Sequence, residues 1–179
     1  MGPIYLAEME SAQPSGSFKT RGIGYACEEY LKRGAKRFIA SSGGNAGLAV
    51  AFAGRRLSVS IIIVVPETAS KRAVNLMCLE SAEVIVHGKP LDEAHRFALS
   101  LIQSTDAYIH PFDDPLVWKG HSSLIDEILR AGLKPDAIVL SVGGGGLLCG
   151  VIEGLKRNGG AVVPSSLLKL KVPTPMGNS

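Results

Sequence analysis

The chain has 179 residues, 46% of them hydrophobic and 20% charged, with a formal net charge of +3. That balance suits a globular protein of one ordinary domain or two small ones and excludes a disordered or fibrous chain. Its lysines and arginines are scattered and its longest apolar run, Ile61 to Pro66, is far too short for a bilayer, so neither nucleic acid nor membrane is an expected partner and a phosphate-sized anion fits better.

The start, Met1-Gly2-Pro3, runs directly into apolar residues without the basic opening and long apolar stretch of a secretory signal. Leu6 stands where a myristoylation pattern needs Ser or Thr. Cys27, Cys78 and Cys149 are far apart and lack metal-ligand spacing, which suits core thiols in a reducing compartment, and a cytoplasmic location is expected. His87, His95, His110 and His121 show no ligand spacing either, so no metal site is expected.

A first strand is predicted over Ile4 to Glu8. Then comes Ser15-Gly16-Ser17-Phe18-Lys19-Thr20-Arg21-Gly22, where Ser17 suits a helix cap and places Lys19 in the first turn. A helix N-terminus and burial both oppose positive charge, so this amine is expected below the ordinary lysine range. Lowering a lysine from its reference near 10.4 to about 7 costs roughly 4 to 5 kcal/mol, a burden carried mainly at functional sites. Taken alone, a first-turn lysine is more simply a solvated one.

Gly34 sits where this helix would stop, and Arg37 to Ala40 predicts the next strand. The loop Ser41-Ser42-Gly43-Gly44-Asn45-Ala46-Gly47 leads into an alanine-rich helix. It aims backbone N–H groups, serine hydroxyls and the Asn45 amide at one point, which suits a carboxylate, although plain helix capping explains the same residues equally well. Strands follow over Ser60 to Val65 and Glu83 to His87. Pro90 suits the start of a helix striped by Leu91, Ala94, Phe97, Ala98, Leu101 and Ile102. Asp113 or Asp114, before Pro115, suits the cap of another, striped by Leu124, Ile125, Ile128 and Leu129 and ending near Gly132.

A last strand, Asp136 to Val142, runs into Gly143-Gly144-Gly145-Gly146 and then a helix striped by Leu147, Leu148, Val151, Ile152 and Leu155. Consecutive glycines let several N–H groups converge at a helix N-terminus, and a phosphate fits there better than a mere tight turn does. The dinucleotide register fails, because counting from Gly143 lands on Leu148, and no Gly-Lys-Ser/Thr follows. From Gly159 the pattern dissolves into an irregular tail rich in Pro, Gly, Ser and Thr. Strands apolar throughout, such as Ile61-Ile62-Ile63-Val64-Val65, need cover on both faces, so the predicted class is α/β with open parallel-sheet layers.

In order and approximate spacing, Ser-Gly-Ser-Phe-Lys-x-Arg-Gly, Ser-Ser-Gly-Gly-Asn-Ala-Gly and Ser-Val-Gly-Gly-Gly-Gly-Leu resemble the fold-type II pyridoxal-phosphate enzymes. Glu10-Ser11-Ala12-Gln13-Pro14 and Pro111-Phe112-Asp113-Asp114-Pro115-Leu116 resemble the serine/threonine dehydratase branch, and the resemblance covers about Ile4 to Asn158. It implies a tryptophan synthase beta-like fold with pyridoxal 5'-phosphate as cofactor. Lys19 would form the Schiff base with the cofactor aldehyde and later remove the α-proton of the substrate, and Phe18 would flank the pyridine ring. Ser42, Gly43, Gly44, Asn45 and Ala46 would hold the substrate carboxylate, with Asn45 also reaching the cofactor's ring oxygen. Gly143, Gly144, Gly145, Gly146 and Leu147 would cradle the phosphate.

The implied reaction is the ammonia-lyase one, L-serine to pyruvate or L-threonine to 2-oxobutanoate with release of ammonia. The small amino acid is then the expected partner, with a homodimer as the expected assembly. Because the family's chains are longer, a fold incomplete at the C-terminus is expected. Its divisions are residues 1–32 with 113–158 as part of a large cofactor-binding domain, 33–112 as a small substrate-loop domain and 159–179 as tail. Two readings stand: a working ammonia-lyase, or a shortened homologue that binds cofactor or a partner without turnover.

Overall fold

In the computed structural model, which describes residues 7–159, apolar strands alternate with amphipathic helices as the sequence pattern requires. After one 3₁₀ turn at Glu10–Ala12, the order is α1 (Lys19–Lys32), β1 (Arg37–Ser41), α2 (Asn45–Leu57), β2 (Ser60–Val65), α3 (Lys71–Leu79), β3 (Glu83–Val86), α4 (Leu91–Ser100) and β4 (Asp106–Tyr108). Three helices follow: α5 (Pro115–His121), α6 (Ser123–Arg130) and α7 (Gly146–Arg157).

The four strands form one parallel sheet in the order β3-β2-β1-β4. Ile39 of β1 lies opposite Ile62 of β2 on one side and Tyr108 of β4 on the other. The two-residue period sends Phe38, Ala40, Ile61, Ile63 and Val65 to one face, where they pack with Ile23 and Cys27 of α1, Val50 of α2 and Met77 of α3. Ile39, Ile62 and Val64 point the other way, onto Ala94 and Ala98 of α4. Both faces are thus covered, and that is why these strands read as unbroken apolar runs. Burial pushes the Cys27 thiol well up, in keeping with an inert core thiol.

Polar groups fix the ends. Arg37 Nη2 meets Asp106 Oδ2 at 2.6 Å and ties β1 to β4. Asp114, not Asp113, caps α5 by accepting the Leu116 N–H. Gly34 and Gly132 terminate α1 and α6 in the left-handed region, with φ of 96° and 74°. The Arg21 guanidinium, whose side chain is only 6% exposed, is gripped by Glu10 and Glu127, which clamps the N-terminal 3₁₀ turn and α6 onto α1.

Three expectations need correction. Asp136 to Val142 forms no strand: it begins in a bend and pairs with none of the four described strands, and Ile138 and Leu140 pack toward α6 and α7 while Val139 is 88% exposed. The helix expected after Pro115 is two, α5 and α6, meeting at Ser122. Ser17 does not cap α1: Phe18 holds the cap position in helical geometry, and the Ser17 hydroxyl is buried without a partner while that of Ser15 pairs with Thr20. The strand over Ile4 to Glu8 falls largely outside the described residues, with Ala7 and Glu8 irregular, and the tail from residue 160 lies outside them. No helix among the described residues is long and apolar enough to cross a membrane.

Candidate active site

Lys19 is the first residue of α1, and its side chain turns inward. Nζ donates a hydrogen bond to the Pro111 carbonyl and stands 5.1 Å from the centroid of the Phe18 ring. Partial burial holds the amine below the ordinary lysine range, the direction expected for an amine that must lose its proton to act as nucleophile or base.

The glycine run faces it. Phe18, Lys19, Phe112, Ser141, Val142, Gly143 to Gly146, Leu147 and Leu148 line one cleft of about 240 Å³. Gly145 caps α7 with φ at 85°, a conformation that a side chain would strain, and the helix begins at Gly146, inside the run rather than after it. Gly144 and Gly146 are glycine for a different reason. A Cβ on Gly144 would collide with the Phe112 ring, and one on Gly146 would lie 2.6 Å from the Phe112 carbonyl oxygen. The first N–H groups of a 12-residue helix are left without intrahelical acceptors here and supply positive potential at the glycine end.

The second loop sits elsewhere. Ser42 to Ala46 leaves the C-terminal end of β1, beside the C-terminal end of β4, from which the segment carrying Pro111 departs. In an open parallel sheet this is the end at which ligands gather. The loop is not part of the cleft lining around Lys19. Ser42 Oγ accepts the Gly44 N–H, Gly44 and Asn45 are exposed, and the Ala46 side chain is in the core, so that residue has only backbone to offer.

Several residues of this region carry no motif signal. The Pro111 carbonyl partners Lys19, the Phe112 ring fences the glycines, and His110 Nδ1 accepts two backbone N–H groups. His121 is fully buried, with its ring centroid 5.2 Å from that of Phe18 and neither nitrogen hydrogen-bonded. Burial, reinforced by Lys19 and Arg21, pushes it down to about 3. The Pro111 to Leu116 run shows in the sequence as a helix cap before Pro115 and as a family resemblance, since neither a carbonyl's role nor an imidazole that serves packing leaves a pattern in side-chain spacing.

Comparison with known proteins gives this geometry its relatives. L-serine dehydratase/L-threonine deaminase of Mus musculus is 49% identical over 166 residues, covering 91% of this chain and 51% of that protein. L-serine dehydratase of Dictyostelium discoideum is 48% identical over 170 residues, covering 88% and 49%. The crystal structure of a fungal L-serine ammonia-lyase from Rhizomucor miehei superimposes with a TM-score of 0.78 at 37% identity, over 83% of this chain and 49% of that one. The chain therefore spans about half the length of the relatives it matches. The family pattern described as "Pyridoxal-phosphate dependent enzyme" extends over residues 2–167, through Lys19, the Ser42 loop and the glycine run alike, so the chain belongs to the pyridoxal-phosphate dependent enzymes.

Proposed function

We propose that the chain carries the cofactor- and substrate-holding part of an L-serine and L-threonine ammonia-lyase, and that it works with pyridoxal 5'-phosphate. The observation that carries this is the one cleft in which a partly buried lysine, its pKa lowered by that burial, faces four glycines at a helix N-terminus. The fit to the cofactor is chemical: an amine for its aldehyde at one end, and a cradle that Cβ atoms would fill for its phosphate at the other.

In this reading Gly143 to Gly146 and Leu147 hold the phosphate through backbone N–H groups, and Phe18 flanks the ring. Ser42 to Ala46 receive the amino-acid carboxylate from the end of β1, with Asn45 also reaching the ring oxygen. When bound, the cofactor supplies an electron sink for the carbon that loses its proton. Lys19 would hold the aldehyde and would serve as acceptor of the α-proton, a role suited to an amine whose pKa burial lowers. Loss of the β-hydroxyl and hydrolysis yield pyruvate from serine or 2-oxobutanoate from threonine, with ammonia.

The four paired strands lie between residues 37 and 108, while Lys19 and the glycine run come from outside that stretch. This supports taking 33–112 as a substrate-loop unit and 1–32 with 113–158 as the cofactor-binding part. Free thiols at Cys27, Cys78 and Cys149 suit a cytoplasmic setting, and a homodimer handling amino-acid breakdown completes the reading. A second reading, a homologue that binds cofactor without turnover, is favoured by the separation of the Ser42 to Ala46 loop from the cleft lining around Lys19.

One experiment separates the two. The purified chain is titrated with pyridoxal phosphate, the absorbance recorded before and after borohydride, and ammonia measured with serine and with threonine. A trapped cofactor with ammonia release supports the lyase. Trapping with no ammonia sinks turnover by this chain, and no trapping at all sinks both readings.

Gly144→Ala offers a check on the cradle. Its methyl group would drive the Phe112 ring out of the glycine loop, and overpacking of this kind costs about 1 to 3 kcal/mol. Cofactor affinity is expected to fall by about tenfold or more, read by absorbance titration.

A further inference from the structure

We propose that His110 is a positioning residue: its imidazole builds the turn that sets Lys19 in register with the glycine loop. The proposal rests on the assignment of this cleft to the cofactor. Ile109 is fixed first, its N–H bonded to the Ile39 carbonyl at 2.8 Å, so that His110 leaves the sheet from an anchored point. His110 Nδ1 then accepts the N–H of Phe112 at 3.3 Å and of Asp113 at 2.7 Å. Pro111 has no N–H to give, so one nitrogen takes both N–H donors of the turn.

Two residues of the turn, Pro111 and Phe112, touch the cleft or its walls. The Pro111 carbonyl receives Lys19 Nζ. The Phe112 carbonyl receives Trp118 Nε1–H at 2.7 Å, and the Phe112 ring and backbone fill the spaces above Gly144 and Gly146. The imidazole thus connects the two sides of the site without entering the cleft lining.

The same contacts fix its chemical state. An Nδ1 that faces two N–H donors carries no proton, so the ring is the Nε2–H tautomer, and a cationic ring would press a third N–H against the other two. Around it stand the Phe112 ring at 4.8 Å, the Tyr108 and His95 rings each at 6.2 Å, the Asp113 and Asp114 carboxylates and the Lys19 amine. Burial holds the imidazole below its ordinary range, in agreement with the geometry.

The function is that of an acceptor at the δ position, so it is transferable. Asparagine places Oδ1 where Nδ1 stands and closes the same turn; glutamine places its oxygen one bond too far, and leucine has none. The test uses the full chain as His110→Asn, His110→Gln and His110→Leu, with folding checked by circular dichroism. Trp118, the single tryptophan of the sequence, reports on the turn through its fluorescence. Lys19 is followed by the pH dependence of amine labelling without cofactor, and by borohydride trapping with pyridoxal phosphate.

The glutamine and leucine variants are expected to shift Trp118 emission to the red, move the pH dependence of Lys19 labelling and trap cofactor about tenfold less tightly. The asparagine variant is expected to stay within about twofold of the parent on each readout. Glutamine or leucine variants that label, trap and emit like the parent would overturn the proposal, as would an asparagine variant no better than leucine. Should the parent chain fail to trap cofactor, the functional assignment falls, while emission and labelling without cofactor still decide the role of His110.

Discussion

Lys19→Ala is expected to lose borohydride-trappable cofactor and, under the proposed ammonia-lyase function, to reduce ammonia release by about 10⁴-fold or more, because one change removes both the covalent anchor and the proton acceptor. Lys19→Arg is expected to do no better. A guanidinium stays protonated at any working pH and so offers neither a nucleophile nor a base. The comparison separates chemistry from charge: if positive potential in the cleft were all that mattered, arginine would rescue. The residue packs partly against Phe18 and its amine is bonded to a carbonyl, so the alanine variant should fold, with thermal unfolding as the control. Peptide mapping of the reduced parent adds a direct check. Cofactor carried on Lys32, Lys36 or Lys119 instead of Lys19 would refute the assignment.

His121 makes the fold acid-labile. Its ring is buried among Phe18, Gly22 and Gly150, with Lys19 and Arg21 close enough to oppose a further positive charge. Its folded value, about 3, lies below the ordinary 6.5, so between those values the unfolded chain binds a proton that the folded chain refuses. Acid therefore favours unfolding in that window. The contribution is complete above about pH 6.5 and is lost as pH falls toward 3. By pH 4.5 roughly 2 to 3 kcal/mol should be gone.

The measurement is urea unfolding at pH 7 and pH 4.5 of the parent and of His121→Leu, which has no titrating group. The carboxylates at Glu10, Asp126 and Glu127 remain in both chains, so the difference between them isolates the histidine. The variant's stability relative to the parent should rise by that 2 to 3 kcal/mol on acidification. A difference independent of pH would reject the account.

These two residues also show what a sequence can disclose. Lys19 could be picked out because its chemistry requires a particular side chain near a helix start, and the glycines because a backbone must turn tightly or be approached closely. The parallel sheet was legible in Ile61 to Val65, where burial on both faces leaves no polar alternation. Asp136 to Val142 also holds a β-prone run, Ile138-Val139-Leu140, but pairs with none of the four described strands, and β propensity cannot supply a ladder partner. β4 was missed because Asp106–Tyr108 is too short for periodicity to register. His110 and His121 were set aside for want of ligand spacing. One serves main-chain N–H groups and the other fills space left by glycines on neighbouring helices, tasks that depend on tertiary proximity.

The contact between Lys19 and the Pro111 carbonyl has a genetic consequence. The acceptor belongs to the main chain, so every substitution at position 111 keeps it, and a scan that replaces side chains one at a time would score that residue as a spacer. Its loss would surface only as scattered effects at His110, Phe112 and Trp118, which hold the carbonyl in place. In such a region mutational tolerance is a poor guide to which atoms the site depends on.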